Sequence, residues 1–324
     1  MDTPSSLSDT AAKRPVVAAG DIVDRLVAGD AAALARCISL MESGGAAADR
    51  IHRRICANVG RAAILGFTGA PGAGKSTLID ATIATLRGRG ATVAVAAVDP
   101  SSPIFGGAIL GDRVRMRRHA EDPCVFIRSV ASRGHLGGLS ESIHRIVDVM
   151  DAAGRDVIIV ETVGTGQSEV EVAEIADVCV VVNAPNMGDD VQAMKAGVLE
   201  IADVLVVNKA DLPQARRTTD QLTNMLKLRH EKRDVPIVET VAINDAGVED
   251  LLAAVDRLLA SRAGDRQASR RRRLRRLIAQ AAGRLVHDRI GSYAGGDLDD
   301  LVNAAAAGEI GITEAAQRAL KLVS

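Results

Sequence analysis

Seven short, continuously apolar runs punctuate the chain from residue 62 onward, and helical stretches separate most of them. They lie at 62–67, 92–98, 124–130, 157–160, 178–182, 204–207 and 236–238. A strand apolar on both faces must be covered on both faces, as parallel strands under crossover helices are. Strands alternating with helices make βαβ units, so the fold class predicted is α/β, a doubly wound and mostly parallel sheet. Helical spacing brackets this pattern. On the N-terminal side it is carried by Ile22, Val23, Leu26 and Val27, then by Leu34, Cys37, Ile38 and Met41; on the C-terminal side it covers 248–259, an arginine run at 270–276, 297–307 and 313–322. The organisation predicted is a flexible lead-in at 1–20, an N-terminal helical extension at 21–60, an α/β core at 61–262 and a C-terminal helical arm at 263–324.

Composition narrows the functions such a fold can carry. Across 324 residues, 40 basic and 41 acidic side chains leave a net charge of -1, so no global field recruits nucleic acid or a membrane surface. Aromatics are 1 %, too few for the base-stacking platforms of single-strand readers. No apolar run reaches the roughly 18 residues of a membrane span, and the first twenty residues lack a basic start leading into an apolar core. The cysteines, Cys37, Cys56, Cys124 and Cys179, form no C-x-x-C pair; Cys124 and Cys179 fall in apolar runs and are expected in the core. A reducing, cytoplasmic compartment is the natural reading.

The most specific motif is Gly69-Ala70-Pro71-Gly72-Ala73-Gly74-Lys75-Ser76-Thr77, which fits G-x-x-x-x-G-K-[ST] between a buried strand and a helix. Its glycines let backbone N–H groups turn inward around phosphate oxygens, and the helix N-terminus adds its positive end. Lys75 is expected to reach the β- and γ-phosphates and the Ser76 hydroxyl to ligate Mg²⁺.

A second motif, Asn208-Lys209-Ala210-Asp211, follows more than 130 residues later at the C-terminal end of another strand, the edge where open α/β sheets bind ligands. The Asp211 carboxylate can accept from both guanine N1–H and N2–H₂, a donor pair that adenine lacks. The Asn208 amide can meet the N7/O6 edge, the Lys209 stem can lie over the ring, and Thr240-Val241-Ala242 can supply an N–H to O6. GTP and GDP are therefore the expected nucleotides. Acidic strand ends complete the pattern: Glu161 stands where phosphate-loop proteins hold Mg²⁺, with Asp99 and Asp112 as further metal candidates. Gly164 can offer its N–H to the γ-phosphate and Gln167 can position water. No arginine stands out as a built-in finger; Arg113, Arg115 and Arg133 read as loop arginines, so slow intrinsic hydrolysis, accelerated by a partner, is expected. The arginine run at 270–276 reads as a solvated helix face and His135 as a surface loop histidine.

These residues, with V-D-P-S-S-P from Val98, L-G-D-R-V-R-M from Leu110, R-G-H-L-G-G-L-S from Arg133, E-T-V-G-T-G-Q-S-E from Glu161 and E-I-A-D-V-L-V-V-N-K-A-D from Glu200, resemble the MeaB / methylmalonic aciduria type A / ArgK family of metallochaperone-type phosphate-loop GTPases. The resemblance runs from about Asp21 onward. It implies a homodimeric G-protein chaperone, its C-terminal arm in the dimer contact, that gates cofactor delivery from an adenosyltransferase to an adenosylcobalamin-dependent acyl-CoA mutase and helps discard damaged cofactor. It implies switch roles for the segment from Asp99 to Asp112 and for that after Glu161. A third switch matches Asn186, Met187, Gly188, Asp189 and Asp190 through Lys195, a lysine that responds to the partner. That switch reads P-N-M-G-D-D here where the family usually has P-G-A-G-D-E. The client is therefore open among methylmalonyl-, ethylmalonyl-, isobutyryl- and 2-hydroxyisobutyryl-CoA mutases. Two other readings remain: a kinase passing the γ-phosphate to a protein or small molecule, and a metal-insertion chaperone, which the lack of a His/Cys constellation disfavours.

Overall fold

The computed structural model describes residues 19–99, 116–131, 141–162, 168–185, 196–228, 233–262 and 266–323. Its sheet comprises β1 (Ala63–Gly69), β2 (Val93–Asp99), β3 (Val125–Ala131), β4 (Val157–Thr162), β5 (Val178–Asn183), β6 (Val204–Asn208) and β7 (Ile237–Thr240), in the order β3-β2-β4-β1-β5-β6-β7. Every pairing is parallel. All seven apolar runs are therefore strands, each within a few residues of the predicted bounds. The central strands β1, β5 and β6 are buried throughout, whereas the edge strands β3 and β7 are largely half-exposed.

Successive side chains of a strand point to opposite faces. Ile64 accordingly joins one core, and Leu65 and Phe67 the other. On the Leu65 face lie α4 (Lys75–Gly88) and, later in the chain, the helix Val248–Ser261. The Ile64 face is covered by α5 (Glu141–Ala152), α6 (Ser168–Ile175), α7 (Ala196–Ile201) and α8 (Ala215–Lys227), the helix Val248–Ser261 becoming α9. The N-terminal helices α1 (Ala19–Val27), α2 (Ala31–Ser43) and α3 (Gly45–Ile55) share that same core, with Leu26, Leu34, Cys37, Ile38 and Ile51 at most 1 % exposed. The stretch that reads as an extension thus forms part of one continuous apolar layer with α5. The α2 helix starts where Asp30 accepts from the N–H groups of Ala32 (2.8 Å) and Ala33 (3.0 Å), an N-cap.

Three helices follow: α10 (Arg266–Gly291), α11 (Gly296–Ala306) and α12 (Ile312–Leu322). The arginine run lies in α10 and divides in two. Arg271, Arg272 and Arg275 are exposed, as expected of a solvated face. Arg270 and Arg273, one turn apart, face the core instead. Arg270 donates to the Cys56 carbonyl at 2.6 Å and Arg273 to the Ile175 carbonyl at 3.2 Å, at the C-terminal end of α6, where cations are favoured. Among the described residues no helix is long and apolar enough to cross a membrane. Cys37 and Cys179 are core thiols that burial pushes up to about 11 and about 12 respectively. Cys124 differs from expectation: it precedes β3 and is only half-buried, because the run it begins is the sheet's edge strand.

Aspartates secure the N-terminal edge of the sheet. Asp151 accepts from the N–H groups of Gly60, Arg61 and Ala62, Asp177 from Ile64 and Asp203 from Cys179. Asp203 also takes Arg262 at 2.6 Å and contacts Arg233. Replacing Asp203 by Ala takes the carboxylate from two guanidiniums and a buried N–H, and should cost about 2–3 kcal/mol in urea unfolding; a loss below about 0.5 kcal/mol would show the cluster to be ornamental.

Candidate functional site

The site grows from the C-terminal ends of β1, β4, β6 and β7. At the end of β1 the chain turns through Gly69 (φ 136°), Gly72 (φ 80°) and Gly74 (φ 90°). A Cβ on Gly69 would strike the Val182 carbonyl of β5, and one on Gly74 the side-chain amide of Asn208. Both positions need glycine for space as well as for backbone freedom.

The loop delivers Lys75 and Ser76 into the first turn of α4, both buried. Lys75 Nζ donates to the carbonyls of Gly69 (2.8 Å) and Ala70 (3.0 Å), which holds the ammonium over the loop. The Ser76 hydroxyl donates to Glu161 Oε1 at 2.7 Å. Glu161 is 2 % exposed and lies in register with Phe67 of β1 and Ala97 of β2. Beside it, Thr162 donates to Thr68 at 3.0 Å, fastening β4 to β1. A hydroxyl and a carboxylate in contact at a helix start are hard oxygen donors, which suits Mg²⁺. Among the described residues no group of three His, Cys, Asp or Glu could hold a metal, but Mg²⁺ commonly takes only one or two protein ligands, its remainder being water and phosphate.

At the other end, Gly74, Thr77, Asn208, Lys209, Asp211, Leu212, Val241, Ala242 and Ile243 enclose a cavity of about 200 Å³. Lys209 adopts φ 57°, a left-handed conformation uncommon outside glycine, and its Nζ donates to the Gly72 carbonyl at 2.9 Å. Its stem thereby walls the cavity between β6 and the glycine loop. Asp211 stands exposed at the cavity rim.

The Asn208 amide borders this cavity and is also tied into the protein. It donates to the Ala73 carbonyl at 3.0 Å, and its Oδ1 accepts from Thr240 Oγ1 and the Ala242 N–H, both at 3.1 Å. Asn208 is a buried tie between the glycine loop and the end of β7. In the 240–242 segment, Val241 donates to the Ala246 carbonyl and Ala242 to Asn208 Oδ1. Such a tie meets polar groups that would otherwise be buried unmet, which is costly.

Other site expectations lie outside the described residues: Asp112, Gly164, Gln167, and Asn186, Met187, Gly188, Asp189, Asp190 and Lys195, together with Arg113, Arg115, Arg133 and His135. Asp99 ends β2 one position past the Val98–Thr162 pair, so its backbone reaches the same edge. Sequence reasoning missed Leu212 and Ile243. Ile243 is 83 % exposed yet lines the cavity, and an isoleucine set in a polar turn after a strand was the available signal.

A parallel sheet whose central strand feeds a glycine loop and a helix bearing Lys75 and Ser76 defines a phosphate-loop nucleoside-triphosphate hydrolase fold. Residues 34–294 match the family described as Methylmalonyl Co-A mutase-associated GTPase MeaB. A relative from Pyrococcus abyssi is 42 % identical over 309 residues, spanning 93 % of this chain and 95 % of its own. GTPase ArgK of Escherichia coli is 39 % identical over 243 residues, 72 % of this chain and 73 % of that one. The crystal structure of an LAO/AO transport system kinase superimposes with a TM-score of 0.72 at 25 % identity, covering 96 % of this chain and 99 % of that one. The chain belongs to the MeaB family, and it is a GTPase.

The Asn208 geometry makes a specific forecast. Asn208→Ala should weaken both GDP and ADP binding, because the loop that holds phosphate loses its tie. Calorimetry with both nucleotides measures this: unchanged affinities would show the tie to be dispensable, and a larger loss for GDP would show that the second amide N–H also meets the base.

Proposed function

We propose that the protein is a GTP-hydrolysing chaperone that gates adenosylcobalamin loading of an acyl-CoA mutase and protects or reactivates that mutase. One observation carries the reading: the glycine loop and the Asn208–Asp211 motif meet around one cavity, with the Ser76–Glu161 pair beside it, in a chain of a family described as mutase-associated. In this reading Lys75 binds the β- and γ-phosphates, and Ser76 and Glu161 hold Mg²⁺ or its water shell. When bound there, the ion would supply charge neutralisation to the phosphates. Asp211 accepts from the guanine N1–H and N2–H₂, while the Lys209 stem and Ile243 bound the ring. Gly164 offers its N–H to the γ-phosphate and Gln167 orients the attacking water. That water bonds to the γ-phosphorus as the bridge to GDP breaks, giving GDP and inorganic phosphate.

Dimerisation through the C-terminal arm is part of the same proposal. Ile278, Leu285, Val302 and Ile312 of α10 to α12 are 58–77 % exposed. Apolar side chains gathered on one helical arm are the kind of surface a second copy covers. An adenosyltransferase is the second partner. The client mutase is methylmalonyl-, ethylmalonyl-, isobutyryl- or 2-hydroxyisobutyryl-CoA specific, and the segment from Asn186 to Lys195 carries its signal.

Base selection is tested directly. The protein should bind GTP over ATP by up to about 10⁴-fold, since a site built for hydrogen bonds rejects a ligand lacking them. Asp211→Asn should shift preference towards xanthine nucleotides, whose C2 carbonyl replaces the amino group. Equal GTP and ATP affinities in calorimetry would sink the assignment.

Partner control is tested by phosphate release with and without each candidate mutase. Low basal turnover should rise with the cognate mutase; a tenfold rise needs only about 1.4 kcal/mol of preferential binding to the competent state. Lys195→Ala should leave basal turnover nearly unchanged and reduce the stimulation. Labelled γ-phosphate should end as inorganic phosphate; its appearance on a protein or small molecule would favour the kinase reading instead.

A further inference from the structure

The cavity wall formed by Val241, Ala242 and Ile243 belongs to a turn that is braced from two sides. Inside, Asn208 joins Ala242 to Ala73 of the glycine loop. Outside, a second brace comes from a part of the chain with no place in the nucleotide motifs. Arg118, between β2 and β3, places Nε 3.0 Å from Asp80 Oδ2 and donates from Nη2 to the Asp80 carbonyl at 3.1 Å. Asp80 lies on α4, one turn beyond Ser76 and Thr77. The same Nη2 lies 3.6 Å from Oδ1 of Asp245. Asp245 directly follows the turn Ala242–Asn244 and adopts φ 60°, a left-handed conformation that its surroundings must hold. The base of this brace is firm: His119 is buried, with Nε2 3.0 Å from the Asp80 carbonyl and 3.2 Å from Asp80 Oδ1.

We infer that Arg118 is a positioning residue for the guanine end of the nucleotide, holding the 241–245 turn against α4 through Asp80 and Asp245. The inference rests on the guanine-cavity reading above and adds to it a residue that touches neither phosphate nor base. Arg118 and Asp245 are about half exposed, at 46 % and 50 % of their side chains, so the brace is in the range of surface ion pairs. Its effect is accordingly modest and confined to one end of the ligand. Loss of the brace frees Ile243 and Ala242 to move away from the base, while Lys75, Ser76 and Glu161 keep their places.

The test uses the full chain with Arg118→Gln, Asp245→Asn and the double variant. Release of a fluorescent GDP analogue is followed by stopped flow, and pyrophosphate affinity by competition. In Arg118→Gln, GDP release should quicken by about two- to fivefold, the range expected for an exposed ion pair, with pyrophosphate affinity unchanged. Asp245→Asn should do the same and the double variant no more than either, because each breaks the same link between α4 and the turn. Arg118→Lys should restore part of the effect. Unchanged GDP release in a folded Arg118→Gln would overturn the inference, as would strictly additive effects or an equal loss of pyrophosphate affinity, which would mark a general structural role. If the native protein does not prefer GDP to ADP, the guanine-cavity reading fails first, and that result is separate from the behaviour of Arg118.

Discussion

All strands of the sheet run parallel, so every strand's C-terminal end falls on one edge and every N-terminal end on the other. The rest of the molecule follows from that polarity. The C-terminal edge leaves strand-end backbone to be satisfied by loops, and those loops are where Lys75, Ser76, Glu161 and Asn208 converge. The N-terminal edge has the opposite need, because its first N–H groups lack partners. Asp151, Asp177 and Asp203 accept them, and Arg262 and Arg273 then tie the last α9 turn and α10 to the same carboxylates. Ligand chemistry and structural anchoring are thus separated by the length of the strands.

Within the site, polar groups are satisfied by one another in a definite order. Asn208 uses both ends of its amide on protein backbone and on Thr240, so it fixes the spacing between the glycine loop and the far wall of the cavity. The Lys209 backbone strain and the Lys209–Gly72 hydrogen bond complete that frame. Facing the cavity are the polar Thr77, Asn208 and Asp211, the Lys209 stem, and the apolar Leu212, Val241, Ala242 and Ile243. A few polar groups among apolar walls are what a flat heteroaromatic base requires: area for contact, and a few directed hydrogen bonds for identity.

The sheet was legible because burial on both faces forces short, continuously apolar runs, and their alternation with helical stretches marks them as parallel strands. The glycine loop was legible because its glycines answer a local demand, positive φ beside a close backbone approach, as at Gly69 and Gly74. The misreadings share a cause. Cys124 sits in an apolar run, yet that run forms the edge strand. Arg270 and Arg273 look identical in sequence to Arg271 and Arg272, and only the carbonyl ends at Cys56 and Ile175 distinguish them. Ile243 stands alone in a polar turn and gains meaning only from the cavity it borders.

The sequence by itself determined the strand and helix alternation, the phosphate loop, the strand end that carries Asn208 to Asp211, and the family, because each of these is written in local periodicity or in contiguous residues. Tertiary structure alone decided the strand order, the merging of α1 to α3 into the core of the sheet, the tie that Asn208 makes between the glycine loop and the end of β7, and the brace from Arg118 to Asp245. Each of those depends on which distant groups become neighbours, and a buried amide or a half-exposed guanidinium takes its role from the partners that folding supplies.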